Sequence, residues 1–390
     1  MIEATIQGIM LLGYASFEAK YRLPDHVRHA VWWIMHCRTA ALGGHVQSCP
    51  EGHFERIWYN SCRHRSCPKC AYLGVERWLR RQKARLLACD HYHVIFTLPD
   101  ALRPLWRLNP ELMTRLLFAT ARETLLELLG DDKYLGAKPG VLAALHTWSK
   151  TLVLHPHLHC LVSGGGLNER GEWMAVKRNY LLPFRVVRDL FRGKMRAAII
   201  KALEGGQIVL PEGMSTQRLC NLLNRLGQKK WNVYIREKYA HGTGVVLYLA
   251  RYVRGGPISN GRILKVTDEQ VTFNYGRGKV EKMPLSVEEF IRRYLQHVPI
   301  PNAVTVRSYG IYARSQSEAL AKCRKALGQG SPEAIEKIDW ENGFEGSEDH
   351  PRLCPVCGRR LIATTRFIPP GKPISSREDA PDEVYCSQAA

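Results

Sequence analysis

Hydrophobic and polar positions follow two different periods along the chain, which predicts a fold of mixed helices and strands. Apolar residues at helical spacing predict helices in the segments 15–48, 74–88, 104–129, 184–204, 215–227, 245–255 and 286–296. Runs rich in β-branched and aromatic residues predict strands at 91–99, within 142–166, and at 230–240, 262–266 and 270–275. The segment 142–166 reads as a strand, a turn and a second strand that ends in three glycines. These strands are joined by short polar turns or by helices, which indicates an α+β protein.

The composition is that of an ordinary folded protein. Of the 390 residues, 45% are hydrophobic and 24% are charged, which excludes wholesale disorder and a fibrous repeat. No apolar run approaches the ~20 residues that a membrane span needs. The first residues lack the cationic segment of a signal peptide, so we expect a cytoplasmic protein.

The charge is strongly basic and unevenly distributed. The chain carries a formal charge of +20, yet residues 328–390 hold 7 basic and 11 acidic side chains. All of the excess positive charge therefore lies in residues 1–327. A folded body with this charge favours a polyanionic partner such as nucleic acid, the alternative being a basic solvated surface.

Cysteines and histidines between residues 49 and 70 are spaced as in structural zinc sites. The chain has 12 cysteines and no expected export signal, so metal binding is favoured over disulfides. A structural zinc takes four sulfur or imidazole ligands, and the pair Cys67 and Cys70 has the spacing of one tight turn. We expect four of five candidates to bind one zinc ion: Cys49, His53, Cys62, Cys67 and Cys70. His64 is a weaker sixth candidate, and the alternative is that the cysteines are buried as small apolar residues.

A second pair, Cys354 and Cys357, provides half of another site. His350 and Cys386 are possible completions. Spacing alone leaves open whether this half-site binds metal.

The run HPHLH at 155–159 places histidines at alternate positions of a predicted strand. Pro156 suits the start of a strand, so we expect the regular strand to begin after it, with Leu158 in the core. His157 and His159 then share one face, about 6.6 Å apart at Cα, and can bind one divalent cation. His146 on the preceding strand is the best candidate for a third ligand. The ion would be Mg²⁺ or Mn²⁺, and the alternative is that these histidines only pack.

Two tyrosines lie four residues apart in the predicted helix 245–255. Tyr248 and Tyr252 would share one helix face, a spacing that by itself is typical of packing. A phosphate bound to a metal ion gives them another use, because a tyrosine hydroxyl can form a covalent phosphodiester intermediate. Arg251 and Arg254 add positive charge nearby.

Taken together and in this order, these motifs resemble the two-tyrosine HUH transposases of the insertion-sequence-ninety-one type. The resemblance covers about residues 30–312 and is carried by SCRHRSCPKC, HVIFTLP, LHTW, HPHLH, GGGL, YLARY and ISNGRI. It implies an HUH endonuclease fold, in which helices flank an antiparallel sheet with HxH on a central strand, preceded by a small zinc-binding module. One departure is that family members often have Cys-x2-Cys in the first zinc pair, where this chain has Gly52 followed by His53.

The resemblance also implies an activity and a division of the chain. It implies rolling-circle transposition of single-stranded DNA, with Tyr248 and Tyr252 as nucleophiles and a 5′-phosphotyrosine intermediate. We expect a helical, zinc-binding and DNA-binding domain at 1–89 and a catalytic domain at 90–315. We expect the C-terminal region 316–390 to end in a disordered tail from Pro369.

Two basic segments, 76–87 and 225–238, combine cations with Trp78, Trp231 and Tyr234, as single-stranded DNA sites do. The predicted DNA contacts are Arg77, Arg80, Arg81, Lys229, Lys230, Trp231 and Arg251.

Two other functions remain open from the sequence. A plasmid replication initiator or a relaxase would use the same histidines and tyrosines. A non-enzymatic zinc protein would bind DNA without forming a covalent adduct.

Overall fold

A computed structural model describes residues 3–239, 256–276, 278–331 and 350–367 of the chain. The chain divides into two compact units, each assembled from separate segments. The first unit consists of Met1–Trp78, Arg254–Pro299 and Ile335–Ala390, and the second of Leu79–Val253 and Ile300–Ala334. Each unit is described separately below.

The described residues contain helices and strands in alternation. The helices are α1 (Ile6–Lys20), α2 (Asp25–Met35), α3 (Ala71–Arg85), α4 (Arg103–Leu108), α5 (Pro110–Gly130), α6 (Phe184–Glu204), α7 (Thr216–Gly227), α8 (Val287–Leu295) and α9 (Ser317–Ala326). The strands are β1 (Gly44–Ser48), β2 (Glu55–Tyr59), β3 (His91–Thr97), β4 (Lys138–Trp148), β5 (Leu154–Leu167), β6 (Trp173–Ala175), β7 (Val233–Tyr239), β8 (Ile263–Val266), β9 (Gln270–Asn274), β10 (Lys282–Ser286), β11 (Val306–Gly310) and β12 (Ile362–Phe367).

The second unit is built on an antiparallel sheet with the order β11-β4-β5-β3-β7, and β6 pairs with the end of β5. The strand that carries HPHLH is therefore the central one. Alternate residues of the three middle strands, such as Val94, Ala143 and Leu158, are buried against apolar residues of α5, α6 and α7. This arrangement confirms the α+β class and the HUH-like sheet flanked by helices.

The other face of the same sheet is polar although it is largely buried. Because strand side chains alternate, His93, His146 and His159 project from the face opposite Val94, Ala143 and Leu158, and each is less than 4% exposed. The three glycines at the end of β5 allow neighbouring strands to approach closely, since a Cβ on Gly166 would overlap the backbone of Lys138. The sequence pattern thus places imidazoles where a core would otherwise require apolar side chains.

The described residues of the first unit include two small sheets, the helices α1, α2 and α8, and the beginning of α3. One sheet has the order β12-β1-β2 and the other has the order β10-β9-β8. Helix α1 packs against α2 and α8, and Gly13 of α1 allows a close approach to Val287 and Ile291 of α8. The hydroxyl of Tyr294 in α8 donates a hydrogen bond of 2.7 Å to the Ser66 carbonyl, which ties this helix to the cysteine-rich turn.

Several predicted boundaries differ from the structure. The predicted helix 15–48 is two helices followed by strand β1, because the extended backbone at Pro24 separates the helices and the second one ends at Met35. The predicted helix 104–129 is interrupted at Asn109, whose backbone is not helical, and restarts at Pro110. Strand β5 begins at Leu154, before Pro156, and its register with β4 shifts beside that proline, between His146 and Trp148. The predicted helix 245–255 and the predicted tail from Pro369 lie outside the described residues.

The predicted domain division follows chain order, whereas the compact units do not. Segment Arg254–Pro299 belongs with the N-terminal residues, and residues 316–334 belong with the second unit. Strand β12 of the C-terminal region pairs with β1 of the N-terminal segment. Among the described residues, no helix has the length and apolar character that crossing a membrane would require.

Candidate active site and metal centres

Three imidazoles meet on the polar face of the second unit's sheet. His146 of β4 lies directly opposite His157 of β5, and His159 follows two residues later on the same face. Ring centroids are 4.1 Å apart for His146 and His159 and 4.8 Å apart for His157 and His159. One nitrogen from each ring lies within 4.8 Å of the other two. The structure therefore brings together the three histidines that the sequence predicted as ligands of a divalent cation.

Hydrogen bonds hold two of these rings in place. The Nδ1 atom of His157 is 2.6 Å from the His155 carbonyl, so it carries the proton and leaves Nε2 able to bind a metal. The Nδ1 atom of His159 is 2.7 Å from Nε2 of His93 on β3. Metal-binding histidines are commonly oriented in this way through their second nitrogen. His93 is a residue that the sequence reasoning missed, and its position in the strand HYHVIFT was the only available signal.

Burial favours the neutral form of His157 and of its neighbour His93 at physiological pH. Burial lowers the pKa of His157 to about 4. Burial, with the nearby charge of Arg236, also lowers the pKa of His93 to about 4. A neutral imidazole is the form that binds metal ions.

His155, the first histidine of the run, is not a member of this group. Its Nδ1 atom lies 3.6 Å from a carboxylate oxygen of Asp100, and about a third of its side chain is exposed. The run HPHLH thus contributes two of its three imidazoles to the cluster.

Four cysteine sulfurs form a second group, in the first unit. Cys37 follows α2, Cys62 follows β2, and Cys67 and Cys70 bracket a single 3₁₀ turn. The sulfur of Cys70 lies 3.5 Å from that of Cys37 and 3.6 Å from that of Cys62. Tetrahedral zinc with bonds of ~2.3 Å places its sulfurs about 3.8 Å apart, whereas a disulfide needs about 2.05 Å. These separations fit a zinc site and do not fit a disulfide.

Within this group, hydrogen bonding favours the thiolate form of Cys70. Hydrogen bonds from the thiols of Cys37, Cys62 and Cys67 lower the pKa of Cys70. The backbone N–H of His64 donates to the Cys62 sulfur at 3.4 Å, and that of Cys62 donates to the Cys37 sulfur at 3.5 Å. Thiolate is the form of cysteine that binds zinc.

The prediction that four of five residues share one zinc site is wrong in its membership. Cys37 joins Cys62, Cys67 and Cys70, whereas Cys49 and His53 lie with Cys354 and Cys357 in a separate group. Cys37 was missed because it has no cysteine nearby in sequence and lies at the end of an apolar run. The strand pairing of β1 with β2 and β12 separates Cys49 and His53 from the other three candidates.

Comparison with known proteins places the chain in a family. Residues 140–319 match the family described as "Putative transposase", and residues 9–98 match the "Transposase zinc-binding domain". The protein "Putative transposase y4qJ" of Sinorhizobium fredii is 37% identical over 346 residues, covering 85% of this chain and 87% of that protein. The "Transposase for insertion sequence element IS801" of Pseudomonas savastanoi pv. phaseolicola is 28% identical over 351 residues, covering 85% and 82%.

The chain belongs to the IS91-type transposase family. This confirms the resemblance that the motifs indicated, and it accounts for the zinc-binding module at the N-terminus. The three histidines fall inside the region that matches the transposase family, and the four-cysteine group falls inside the matched zinc-binding domain.

Three predicted residues of the transposase, Tyr248, Tyr252 and Arg251, lie outside the described residues. The predicted DNA contacts within the described part fall into two classes. Arg80, Arg81, Lys229 and Lys230 are exposed to solvent, and Arg77 is half-buried.

The prediction that Trp231 stacks on DNA bases is wrong. The indole of Trp231 is 3% exposed, lies edge-on to Phe191 and donates a hydrogen bond of 3.0 Å to the Leu226 carbonyl. It is part of the core between α6, α7 and the sheet. Tyr234, three residues later on β7, is 58% exposed.

Proposed function

We propose that this transposase nicks and rejoins single-stranded DNA through tyrosine nucleophiles, in rolling-circle transposition. The observation that carries the proposal is the group of His146, His157 and His159. Three imidazoles that converge on one point form a donor set for a divalent transition metal, and burial keeps His157 in the neutral form that such a site needs. Buried histidines with a structural role alone do not require such convergence.

The donor set fits a catalytic cation such as Mn²⁺, and Mg²⁺ fits less well because it prefers oxygen ligands. When bound, such a cation would neutralise charge on the scissile phosphate. The protein's own contribution is to hold the three rings with their free nitrogens converging. His93 and the His155 carbonyl orient two of them by hydrogen bonding.

Tyr248 and Tyr252 are proposed as the nucleophiles on the strength of the family resemblance. The phenolic oxygen attacks the phosphorus, so that a bond between oxygen and phosphorus forms as the bond to the 3′ oxygen breaks. The phenol loses its proton, and the departing 3′ oxygen gains one to become a free hydroxyl. The resulting phosphotyrosine conserves the energy of the bond, which allows strands to be rejoined without an external source.

A DNA strand could reach the histidines along the edge of the sheet. Tyr234 of β7 pairs with Ile95 of β3, which in turn pairs with His159 of β5. Paired residues of adjacent strands share one face, so Tyr234 lies in the same row as His159, about 10 Å away. An exposed aromatic ring in this row suits base stacking, and exposed Arg236 next to it suits a phosphate. We assign the catalytic reaction to the second unit on this basis.

We assign the structural zinc of the matched zinc-binding domain to Cys37, Cys62, Cys67 and Cys70. This metal would fix the turn at residues 62–70, which has few apolar side chains of its own. The Arg63 backbone adopts a positive φ of 53° between two of these ligands, a conformation that a metal cross-link helps to maintain.

The decisive experiment is a search for covalent adducts. The protein is incubated with Mn²⁺ or Mg²⁺ and single-stranded oligonucleotides that cover both ends of its mobile element. We expect an adduct on a denaturing gel that disappears in Tyr248→Phe with Tyr252→Phe. The variants His146→Ala, His157→Ala and His159→Ala should each lower nicking on the order of 100-fold.

His155→Ala is the matched control, because His155 belongs to the same run but not to the group. It should nick within about twofold of the unaltered protein. Tight DNA binding without any adduct would refute the proposal in favour of a non-enzymatic zinc protein. Adducts on a plasmid origin but not on element ends would instead identify a replication initiator or relaxase.

A further inference from the structure

A third group of candidate metal ligands joins two segments that lie about 300 residues apart in sequence. Cys49 and His53 follow β1, and Cys354 and Cys357 precede β12. Their ligand atoms all lie within 4.8 Å of one another. The Cys49 sulfur is 3.5 Å from the Cys357 sulfur and 3.9 Å from Nδ1 of His53. These distances are close to the ~3.8 Å of a tetrahedral zinc site and far from a disulfide bond.

The two halves of the group are similar turns. Each begins with Cys-Pro, and in each the N–H of the first cysteine donates a hydrogen bond of 2.8 Å to the carbonyl five residues later. These acceptors are Phe54 and Arg359. Each turn also contains a glycine with positive φ, 71° at Gly52 and 70° at Gly358, where other residues would be strained. Two different parts of the chain thus form similar turns, with the sulfurs of Cys49 and Cys357 facing each other.

A backbone amide points at one of these sulfurs. The N–H of Glu51 donates to the Cys49 sulfur at 3.4 Å. Such bonds from neighbouring amides orient and stabilise the thiolates of metal sites.

The strands around the group form one small sheet. Strand β12 pairs with β1 from Gly44 opposite Phe367 to Ser48 opposite Ile362, and β2 pairs with the other edge of β1. A short bridge between Leu353 and Arg360 closes the second turn. An ion pair between Glu51 and Arg359 also joins the two turns. Paired turns that present four ligands at the end of a three-stranded sheet constitute the architecture of a zinc ribbon.

Among the described residues, little apolar surface is buried at these turns. The apolar cluster there comprises Cys49, Cys354 and Leu361, with Phe54 partly buried against it. The side chains of β12 are mostly exposed and add little buried apolar surface. Small modules of this kind depend on a metal or a disulfide for stability. The bonds to a metal ion would supply what the core lacks.

We propose that Cys49, His53, Cys354 and Cys357 bind a second structural zinc ion, which fastens residues 350–367 to the N-terminal module. His350, the completion considered from the sequence, is not a ligand. Its Nδ1 atom accepts the N–H groups of Arg352 and Leu353 at 3.1 and 3.0 Å, so it stabilises the loop that leads to Cys354. The site is a split zinc ribbon, one half from each end of the chain.

Metal stoichiometry tests this inference independently of DNA cleavage. The full-length protein and its variants are purified with zinc, and zinc per chain is measured by mass spectrometry. Cys354→Ser with Cys357→Ser should lose one zinc relative to the unaltered protein, and Cys49→Ser should lose the same one. The control Cys89→Ser with Cys220→Ser, at cysteines outside both groups, should lose none. Equal zinc content in the Cys354/Cys357 variant and the unaltered protein would overturn the proposal.

The result is read as the difference in zinc content between each cysteine variant and the unaltered protein, because any zinc held by the histidines contributes equally to both. A second comparison guards against misfolding of the cysteine variants. His53→Cys should retain the zinc, and the visible spectrum of substituted Co²⁺ should shift toward that of an all-sulfur site, whereas His53→Ala should bind zinc more weakly. Identical Co²⁺ spectra in His53→Cys and the unaltered protein would exclude His53 as a ligand. Faster amide exchange of Gly44–Ser48 in the Cys354/Cys357 variant would show that β12 has lost its anchor, and unchanged exchange would contradict the anchoring role.

Discussion

At the scale of single residues, the active-site geometry follows from two simple spacings. Alternation along β5 puts His157 and His159 on one face, and the register of β4 puts His146 opposite His157. The free nitrogens converge because hydrogen bonds hold two of the rings. The bond between His93 and His159 is the more informative of these, because His93 comes from a third strand. It supports the proposal that His93 positions His159 and is not itself a ligand.

This role of His93 predicts a specific change in metal affinity. His93→Phe should raise the Kd for Mn²⁺ about 10- to 100-fold, because His159 loses the partner that orients its ring. His93→Gln should have a smaller effect, since an amide can still hydrogen-bond Nδ1 of His159. Titration calorimetry measures the Kd, and saturating Mn²⁺ should restore most of the nicking in both variants.

His91→Gln is the control for a change to a buried histidine on the same strand and face. Nε2 of His91 lies 2.6 Å from the Tyr312 hydroxyl, and His91 is not a member of the three-histidine group. The Mn²⁺ affinity of His91→Gln should match that of the unaltered protein. An unchanged affinity in His93→Phe would exclude the positioning role.

At the scale of elements, the residues just before β7 and the strand itself have different roles. Trp231 anchors the start of this segment in the core against α6, whereas Tyr234 is exposed on the face that carries the histidines. Both aromatics lie in the same basic segment, and nothing in their local sequence distinguishes them. The alternation of the strand does so once its register with β3 is known.

Opposite phenotypes are therefore expected for the two aromatic residues. Trp231→Ala should lower the free energy of unfolding by about 3–5 kcal/mol, because it removes a buried ring and leaves a cavity. Tyr234→Ala should leave stability nearly unchanged and weaken binding of single-stranded DNA by about 1–3 kcal/mol, the contribution of one stacked base. Thermal unfolding and fluorescence anisotropy measure the two effects.

Phe184→Ala controls for the loss of an exposed ring, because Phe184 lies on α6 and is also about half exposed. It should change DNA affinity little. A loss of affinity in Phe184→Ala as large as in Tyr234→Ala would indicate a nonspecific effect of removing surface aromatics.

At the scale of the whole molecule, the dominant property is positive charge. The +20 charge of the chain provides a field that attracts a phosphate backbone before any specific contact forms. Arg80, Arg81, Lys229 and Lys230 are exposed and can take part in this attraction. Binding by such charges releases counterions and therefore weakens as salt is added.

The salt dependence of DNA binding tests the contribution of these four cations. For single-stranded DNA, the slope of log K against log salt should become shallower by about 0.7 for each phosphate contact removed. Replacing Arg80, Arg81, Lys229 and Lys230 together with Gln should reduce the slope accordingly. Lys20 and Lys322 are paired with Glu288 and Glu318. Replacing these two lysines with Gln should leave the slope unchanged. Equal slopes in both sets would show that the four cations make no phosphate contacts.

The sequence alone predicted the kind of fold and the family. Periodicity predicted most helices and strands of the second unit, because each is long enough to show its own pattern. The motifs predicted the family, and the run HPHLH with His146 predicted the three histidines that meet. Spacing sufficed here because β4 and β5 are neighbours in sequence and in space.

Only the tertiary structure decided which distant residues share a site. Sequence spacing pooled Cys49 and His53 with Cys62, Cys67 and Cys70, whereas the pairing of β12 with β1 joins them to Cys354 and Cys357. Cys37, His93 and the burial of Trp231 were likewise decided by long-range packing. The local sequence pattern indicates on which face of a helix or strand a residue lies. Which residues it meets on that face depends on packing between segments that are far apart in the chain.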